Sequence, residues 1–309
     1  MATGETPRFL QAIELGVGAW QWGDKVIWNY GRGYAEADIR AAFDVSISQG
    51  ITFIDTAEIY AMGKSERLVG KFIQTIEQPT LVATKFFPFP WRLGRKSVVA
   101  ALKRSLERLG LDSVALYQVH WPPTVGSIEA LMDGMADAVE MGLTRAVGVS
   151  NFDQNQMMAA YSALARRGLS LGSNQLEYHL LERRIEKNGL LQRCKELGVR
   201  VIAYSPLGQG LLAGKYSAQN PPPGLRARQY GPLLGKIGPL IKLMTEIGQD
   251  VGGKTPAQIA LNWCICKGTL PIPGAKTAEQ AEANAGSSGW RLTPEQIAAL
   301  DEASDKVNP

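Results

Sequence analysis

The sequence predicts an α/β chain folded as a single-domain (β/α)8 TIM barrel over residues 1–309, with a long loop after the seventh strand and helices at the C-terminus. Three observations predict it. Short apolar runs alternate with amphipathic stretches about 10 to 17 residues long. The runs are nearly all apolar, as parallel strands buried on both faces should be. Eight such units fit a chain of 309 residues. A doubly wound open sheet is the alternative, but it wants G-x-G-x-x-G after its first strand. Here Ala19-Trp20-Gln21-Trp22-Gly23 follows instead.

The first run is Ile13-Glu14-Leu15-Gly16-Val17-Gly18, and Thr52-Phe53-Ile54 is the second. Thr80-Leu81-Val82-Ala83-Thr84, Val114-Ala115-Leu116-Tyr117-Gln118-Val119 and Ala146-Val147-Gly148-Val149 come next. A stretch ending in Gln175, then Val199-Arg200-Val201-Ile202-Ala203 and Leu270-Pro271-Ile272, complete the series. Between them, Ile39, Ala42, Phe43 and Ile47 share one helical face, as do Val99, Leu102, Leu106 and Leu109, and Leu190, Cys194 and Leu197. Thr255-Pro256-Ala257-Gln258 and Thr293-Pro294-Glu295-Gln296 each read as a threonine cap, a first-turn proline and a capping-box glutamine. Residues 208–238, rich in Gly and Pro, form the one long irregular stretch.

Composition narrows the function. Hydrophobic residues are 45% and charged residues 20%, the balance of a globular chain. Lys plus Arg is 33 against 29 Asp plus Glu, a net charge of +4 with no basic run, so no nucleic-acid partner is expected. No apolar stretch suits a membrane helix and the N-terminus lacks a secretory pattern, so a cytoplasmic or organelle-interior protein without a membrane partner is expected, as a monomer or weak homo-oligomer. Cys194, Cys264 and Cys266 form no metal-binding or redox pair and read as buried reduced thiols. Two histidines without clustered carboxylates argue against a metal-dependent barrel enzyme.

In a parallel barrel the chemistry lies where the strands end. The polar residues there are Asp55 with Tyr60 five positions on, Lys85, His120, Ser150 with Asn151, Asn174 with Gln175, and Tyr204 with Ser205. Singly each has a structural reading: Asp55 as a helix cap, Lys85 or Tyr60 as surface or packing, His120 as a satisfied core histidine. His179 reads as structural or peripheral. Together they support one chemistry. A tyrosine titrating near pH 10 is a poor acid, and an adjacent ammonium should lower that value. An aspartate offsets the lysine's burial. A histidine orients a substrate oxygen. The sum is a proton donor aimed at one oxygen, which suits carbonyl reduction with hydride arriving from elsewhere.

Asp55-Thr56-Ala57-Glu58-Ile59-Tyr60, Thr84-Lys85, Tyr117-Gln118-Val119-His120-Trp121-Pro122, Gly148-Val149-Ser150-Asn151-Phe152, Tyr204-Ser205-Pro206-Leu207-Gly208 and Ile272-Pro273-Gly274-Ala275-Lys276 resemble the signature segments of the aldo-keto reductase superfamily. They occur in order from Leu15 to about Asn284, closest in look to bacterial and plastid-type reductases. The resemblance implies an NADP-dependent alcohol dehydrogenase-type enzyme that binds NADPH/NADP+ in extended form and acts on a small-molecule carbonyl substrate. It implies Tyr60 as general acid, Lys85 as the group lowering its pKa, Asp55 as the partner of Lys85, and His120 as the carbonyl-orienting residue. It also implies Ser150, Asn151 and Gln175 at the nicotinamide carboxamide and Tyr204 stacked on the ring. Ser205, Pro206, Leu207 and Gly210 would line the pyrophosphate path, with Lys215 paired to it. Gly274, Lys276, Gln280 and Asn284 would surround the adenosine end.

That last region also has a physical warrant, because a phosphate suits the helix start at Thr277-Ala278-Glu279-Gln280 behind Lys276. Gln280 stands where many members carry an arginine, and Ala283 where an acidic residue is common. Arg226 or Arg228 of the long loop is the candidate substitute guanidinium. Trp20, Trp22, Trp28, Phe87, Trp91 and Trp121 fall near the mouth, as packing or as walls for aromatic or aliphatic aldehydes. Arg92 and Arg95 read as a solvated basic loop or as an attraction for an anionic substrate. Some relatives are cofactor-binding regulatory subunits of membrane channels with slow turnover; that alternative finds no channel-docking arm here.

Overall fold

The computed structural model describes residues 7–308 apart from 93, 223 and 224, and the side chains of 225, 226 and 229 also lie outside the description. A short helix α1 (Arg8–Ala12) precedes β1 (Val17–Gly18), α2 (Glu36–Ser48), β2 (Phe53–Asp55), α3 (Lys64–Ile73) and β3 (Leu81–Phe86). Then come α4 (Arg95–Leu109), β4 (Leu116–Val119), α5 (Ile128–Glu140), β5 (Val147–Ser150), α6 (Gln154–Ala165) and β6 (Ser173–Glu177). Two short helices, α7 (Arg184–Lys187) and α8 (Leu190–Glu196), lead to β7 (Arg200–Tyr204). The chain ends through α9 (Leu225–Leu234), α10 (Gly238–Asp250), α11 (Pro256–Cys266), β8 (Leu270–Pro271), α12 (Ala278–Ala285) and α13 (Pro294–Val307).

The eight strands form one parallel sheet in sequence order. Gly16 and Gly18 donate their amides to Pro271 and Pro273 carbonyls (both 3.0 Å), which joins β8 back to β1 and closes the barrel. The fold is the (β/α)8 barrel that the alternation predicts. The two caps read from the sequence are present, with Thr255 and Thr293 each accepting from the amide three residues on and the reciprocal glutamine bond in place; Asp153 does the same at the head of α6.

Two expectations are corrected. The stretch 208–238 is not irregular throughout. It holds a tight 3-10 turn at Gly208–Ala213 and then α9. Pro232 sits inside α9, so packing rather than propensity holds that helix: Leu234 is buried, with Tyr230 and Leu233 against the same core. The strands are also less uniformly apolar than their flanks suggest. Lys85, Gln118, Ser173, Asn174 and Gln175 are fully or almost fully buried within them. Buried polar groups need partners, and those partners define the site.

The helical ring buries its apolar stripes on the outside of the sheet. The lower end of the barrel is shut by α1, whose Leu10 packs with Phe53, Ala83, Leu116, Ile202, Leu270 and Ile272. Among the described residues no helix is long and apolar enough to cross a membrane.

Candidate active site

At the opposite end the strand exits surround a cleft of about 760 Å³. Asp55, Tyr60 and His120 line it, and Lys85 lies directly beneath with no exposed surface. Lys85 Nζ donates to Asp55 Oδ1 and to the Thr56 carbonyl (2.8 Å), and lies 3.3 Å from Tyr60 Oη. The ammonium also stands 4.8 Å from the centre of the Tyr60 ring. The Tyr60 and His120 rings meet edge to face, centroids 5.5 Å apart at 80°. Four residues spread over 66 positions of sequence therefore meet at one point, as the strand-exit reading requires.

The electrostatics differ from the expectation in one respect. Burial pushes the Tyr60 phenol up, Lys85 draws it down and Asp55 adds to the rise, leaving its pKa above the ordinary value. The lysine moderates the phenol without making it a stronger acid than free tyrosine, because water has been removed from the phenolate's surroundings. Burial works against the Lys85 charge, but Asp55 and Tyr60 outweigh it and its pKa lies above normal. Burial and the Lys85 charge push His120 down to about 2, so its ring is neutral.

The expected cofactor residues also converge. Ser150, Asn151, Gln175, Tyr204, Ser205, Pro206, Leu207, Gly210, Lys215, Gly274, Lys276, Gln280 and Asn284 all line the same cleft. Ser150 Oγ donates to the Gln175 carbonyl (3.0 Å), and Asn151 Nδ2 donates to the His120 carbonyl (3.2 Å). Tyr204 Oη donates to Asn151 Oδ1 (3.0 Å), which pins the Tyr204 ring at the cleft wall. Gln175 Nε2 is committed to Asp55 Oδ2 (2.8 Å). Gln280 Oε1 accepts from the Lys276 amide (2.9 Å), and Thr277 caps α12. The Lys276 ammonium lies 4.7 Å from both the Trp28 and Tyr34 rings, fastening the loop after β1 across to the start of α12. Arg226 lies outside the described residues as far as its side chain is concerned. Arg228 is exposed and away from the cleft, so among the described residues no guanidinium lines it.

The aromatic set divides. Trp20, Trp28 and Trp121 wall the cleft. Trp20 lies 6.3 Å from the Tyr60 ring and meets Trp28 edge-on at 5.3 Å. Trp22 is instead wholly buried on Phe43 and Phe72, with its indole N–H on the Ala275 carbonyl (2.9 Å). Phe87 backs His120 at 5.8 Å, and Trp91 is exposed and stacked on Phe89. Arg92 is neither solvated nor aimed at the cleft. It grips Glu58 through both terminal nitrogens (2.7 and 3.1 Å) and covers the Phe86 ring. Arg95 pairs with Asp137 on the surface. His179 is structural, accepting from the Leu181 amide (3.1 Å).

Sequence reasoning passed over two residues. Gln21 lies flat on Gly274, where a Cβ would come within 2.0 Å of its amide, and its Oε1 is buried without a partner among the described residues. Gln118, wholly buried inside the barrel, reaches Asp55 Oδ2 at 3.3 Å. A polar residue in the middle of an apolar strand was the available signal for Gln118. Nothing in the pattern marks Gln21.

The residues present fit a dinucleotide. The cleft is long enough to run from Tyr60 to the start of α12. It offers a pinned aromatic ring, orphaned polar atoms at Gln21 Oε1 and His120 Nδ1, and ammonium groups from Lys215 and Lys276. Comparison with known proteins agrees with this architecture. The model of the aldo/keto reductase family matches residues 14–305, and the chain belongs to that family. It is 39% identical to the chloroplastic pyridoxal reductase of Arabidopsis thaliana, over 96% of this chain and 84% of that one. It is 30% identical to the aldo-keto reductase yakc of Schizosaccharomyces pombe, whose name specifies NADP(+), over 90% of this chain and 85% of that one. An aldo/keto reductase from Klebsiella pneumoniae, solved in complex with NADP and acetate, superposes with a TM-score of 0.76 at 29% identity, covering 99% of this chain and 96% of that one.

Proposed function

We propose that the protein is an NADP(H)-dependent oxidoreductase of the alcohol dehydrogenase (NADP+) type, a single barrel domain that reduces aldehydes or ketones to alcohols with Tyr60 as the proton donor. The observation that carries this is the Tyr60 hydroxyl 3.3 Å from a buried ammonium, beside a neutral histidine, at the floor of a largely apolar cleft.

Ser150, Asn151 and the free oxygen of Gln175 would hold the nicotinamide amide, with the Tyr204 ring against the nicotinamide. Lys215 would meet the pyrophosphate, and Lys276 at the head of α12 the 2′-phosphate. When bound, NADPH supplies hydride to the carbonyl carbon. The neutral His120 ring donates one N–H to the carbonyl oxygen and orients it. Tyr60 gives its proton to that oxygen as charge develops there. The resulting phenolate lies against the Lys85 ammonium, whose charge is held by Asp55 and the Thr56 carbonyl. Because the phenol's pKa is above normal, the acid form is fully populated at neutral pH. The tryptophan-walled entrance suits a planar aromatic aldehyde, and the name of the Arabidopsis relative makes pyridoxal the first compound to assay.

The test is Tyr60→Phe. It should lower kcat about 10³-fold, within the range of general acid catalysis, while NADPH titrated by fluorescence binds within twofold of wild type. Substantial carbonyl reduction by the variant would remove Tyr60 from its role.

A further inference from the structure

We propose that Gln118 is a positioning residue for the proton donor: it holds Oδ2 of Asp55 so that Lys85, and through it Tyr60, are set correctly. The proposal rests on the carbonyl-reductase reading and goes beyond it to a residue that touches neither substrate nor cofactor.

Asp55 presents two oxygens to the barrel interior. Oδ1 takes Lys85, while Oδ2 accepts from Gln175 Nε2 (2.8 Å) and Gln118 Nε2 (3.3 Å). Gln175 lines the cleft, but Gln118 does not; it is wholly buried and sees the site only through Asp55. Its own carbonyl is held in turn by Ser173 Oγ (3.3 Å). The strand register makes this a continuous layer, with Lys85 beside Gln118, Gln118 beside Gly148 and Gly148 beside Ser173. Glycine at 148 is what lets it close, since a Cβ there would lie 2.1 Å from Ser173 Oγ and 3.3 Å from Gln118 Cγ. A buried amide costs free energy unless both its ends are paired. Here both are, and one end serves a carboxylate.

The electrostatic consequence has a definite sign. Lys85, Asp55, His120 and Tyr204 are the titratable groups that face Tyr60, and Asp55 pushes the phenol up while Lys85 pulls it down. Amide donors on Oδ2 draw off part of the carboxylate's charge. Without Gln118, Tyr60 feels more of that charge and less of the lysine, so the phenol becomes a weaker acid.

The experiment is Gln118→Leu, which keeps bulk and removes the amide. Two readouts are taken: steady-state reduction against pH, and the Tyr60 ionisation in protein carrying 3-fluorotyrosine. The label brings phenol titration into a milder pH range, and the Tyr60 fluorine signal is assigned by its loss in Tyr60→Phe. Gln118→Leu should lower neutral-pH kcat about tenfold, which is about 1.4 kcal/mol of barrier, and move the alkaline limb of kcat to higher pH. The Tyr60 fluorine midpoint should rise, with the Kd for NADPH unchanged. Ser173→Ala should shift both readouts the same way by less, and the double variant should match Gln118→Leu, since Ser173 acts only through Gln118. A purely structural role would change Tm and leave the midpoint in place. An unmoved Tyr60 midpoint in Gln118→Leu, or in Ser173→Ala should the first variant fail to fold, would overturn the proposal. If the wild type reduces no carbonyl compound, the functional reading fails separately, and the fluorine titration still decides the role of Gln118.

Discussion

The two ends of this barrel are built by opposite rules. At the lower end α1 closes an apolar plug around Leu10, and the left-handed positions of the helix-to-strand turns fall on glycine, as at Gly110 (φ 65°). At the cleft end two of the loops leaving a strand are long, residues 19–35 after β1 and 205–224 after β7. Every non-glycine residue with positive φ among those described lies there: Asn29, Ala61, Met62, Asn151, Ser205 and Gln209. Four of these six line the cleft. Left-handed backbone at residues with a side chain costs about 1–2 kcal/mol each. The comparison teaches a division of labour. The lower end supplies stability, and the cleft end holds strained backbone and buried charge in the geometry that chemistry needs.

Experiments can press on that division. The largest effect on stability should come from the buried pair at the cleft. Lys85→Met leaves Asp55 without its cation and should destabilise the protein by about 3–5 kcal/mol in urea unfolding while abolishing turnover. Adding Asp55→Asn should restore much of the stability and none of the activity. A recovery of both would mean that the pair is structural alone.

Leu10→Ala at the plug should cost about 2–5 kcal/mol. Here kcat and the Kd for NADPH should stay at wild-type values at temperatures where the variant is folded. A matching fall in kcat would erase the contrast between the two ends.

His120 supplies a pH test. Its folded pKa is depressed to about 2 from 6.5, so the unfolded chain binds a proton that the folded protein refuses. Its contribution is therefore fully present above about pH 6.5 and lost as pH falls. Unfolding free energy measured at pH 6.5 and 5.0 should drop by on the order of 1 kcal/mol more in wild type than in His120→Gln. For the same reason, kcat should show no histidine limb between pH 5 and 8.

The smallest effect should be relief of strain. Ala61→Gly should raise stability by up to about 1 kcal/mol, since glycine adopts φ 48° without penalty. The loop should then hold Tyr60 less firmly, raising KM more than it lowers kcat. A loss of stability would show that the Ala61 side chain contributes packing that outweighs its strain.

Much of this was readable in the chain. Apolar runs spaced by amphipathic stretches call for a parallel sheet buried on both faces, and eight such units without a G-x-G-x-x-G turn after the first favour the barrel over a doubly wound sheet. Once the barrel is accepted, Asp55, Lys85 and His120 must share one mouth, since each follows a run of the same direction, and Tyr60 trails Asp55 by less than two helical turns. Local grammar also carried the helix caps at Thr255 and Thr293.

What the pattern left open were quantities set by closure and desolvation. Trp20 and Trp22 look alike in sequence, yet one walls the cleft and the other fills the core. Arg92 reads as a free cation until Glu58, 34 residues away, is seen beside it. Gln118 reads as an interruption of a strand until Asp55 and Ser173 close around it. The acidity of Tyr60 turns on how much water the fold removes, a property of no single residue. Spacing fixed which side chains could meet, because strand direction and helix period are local consequences of the backbone. Which of them did meet, and with what loss of solvent, was decided only when the sheet closed on itself.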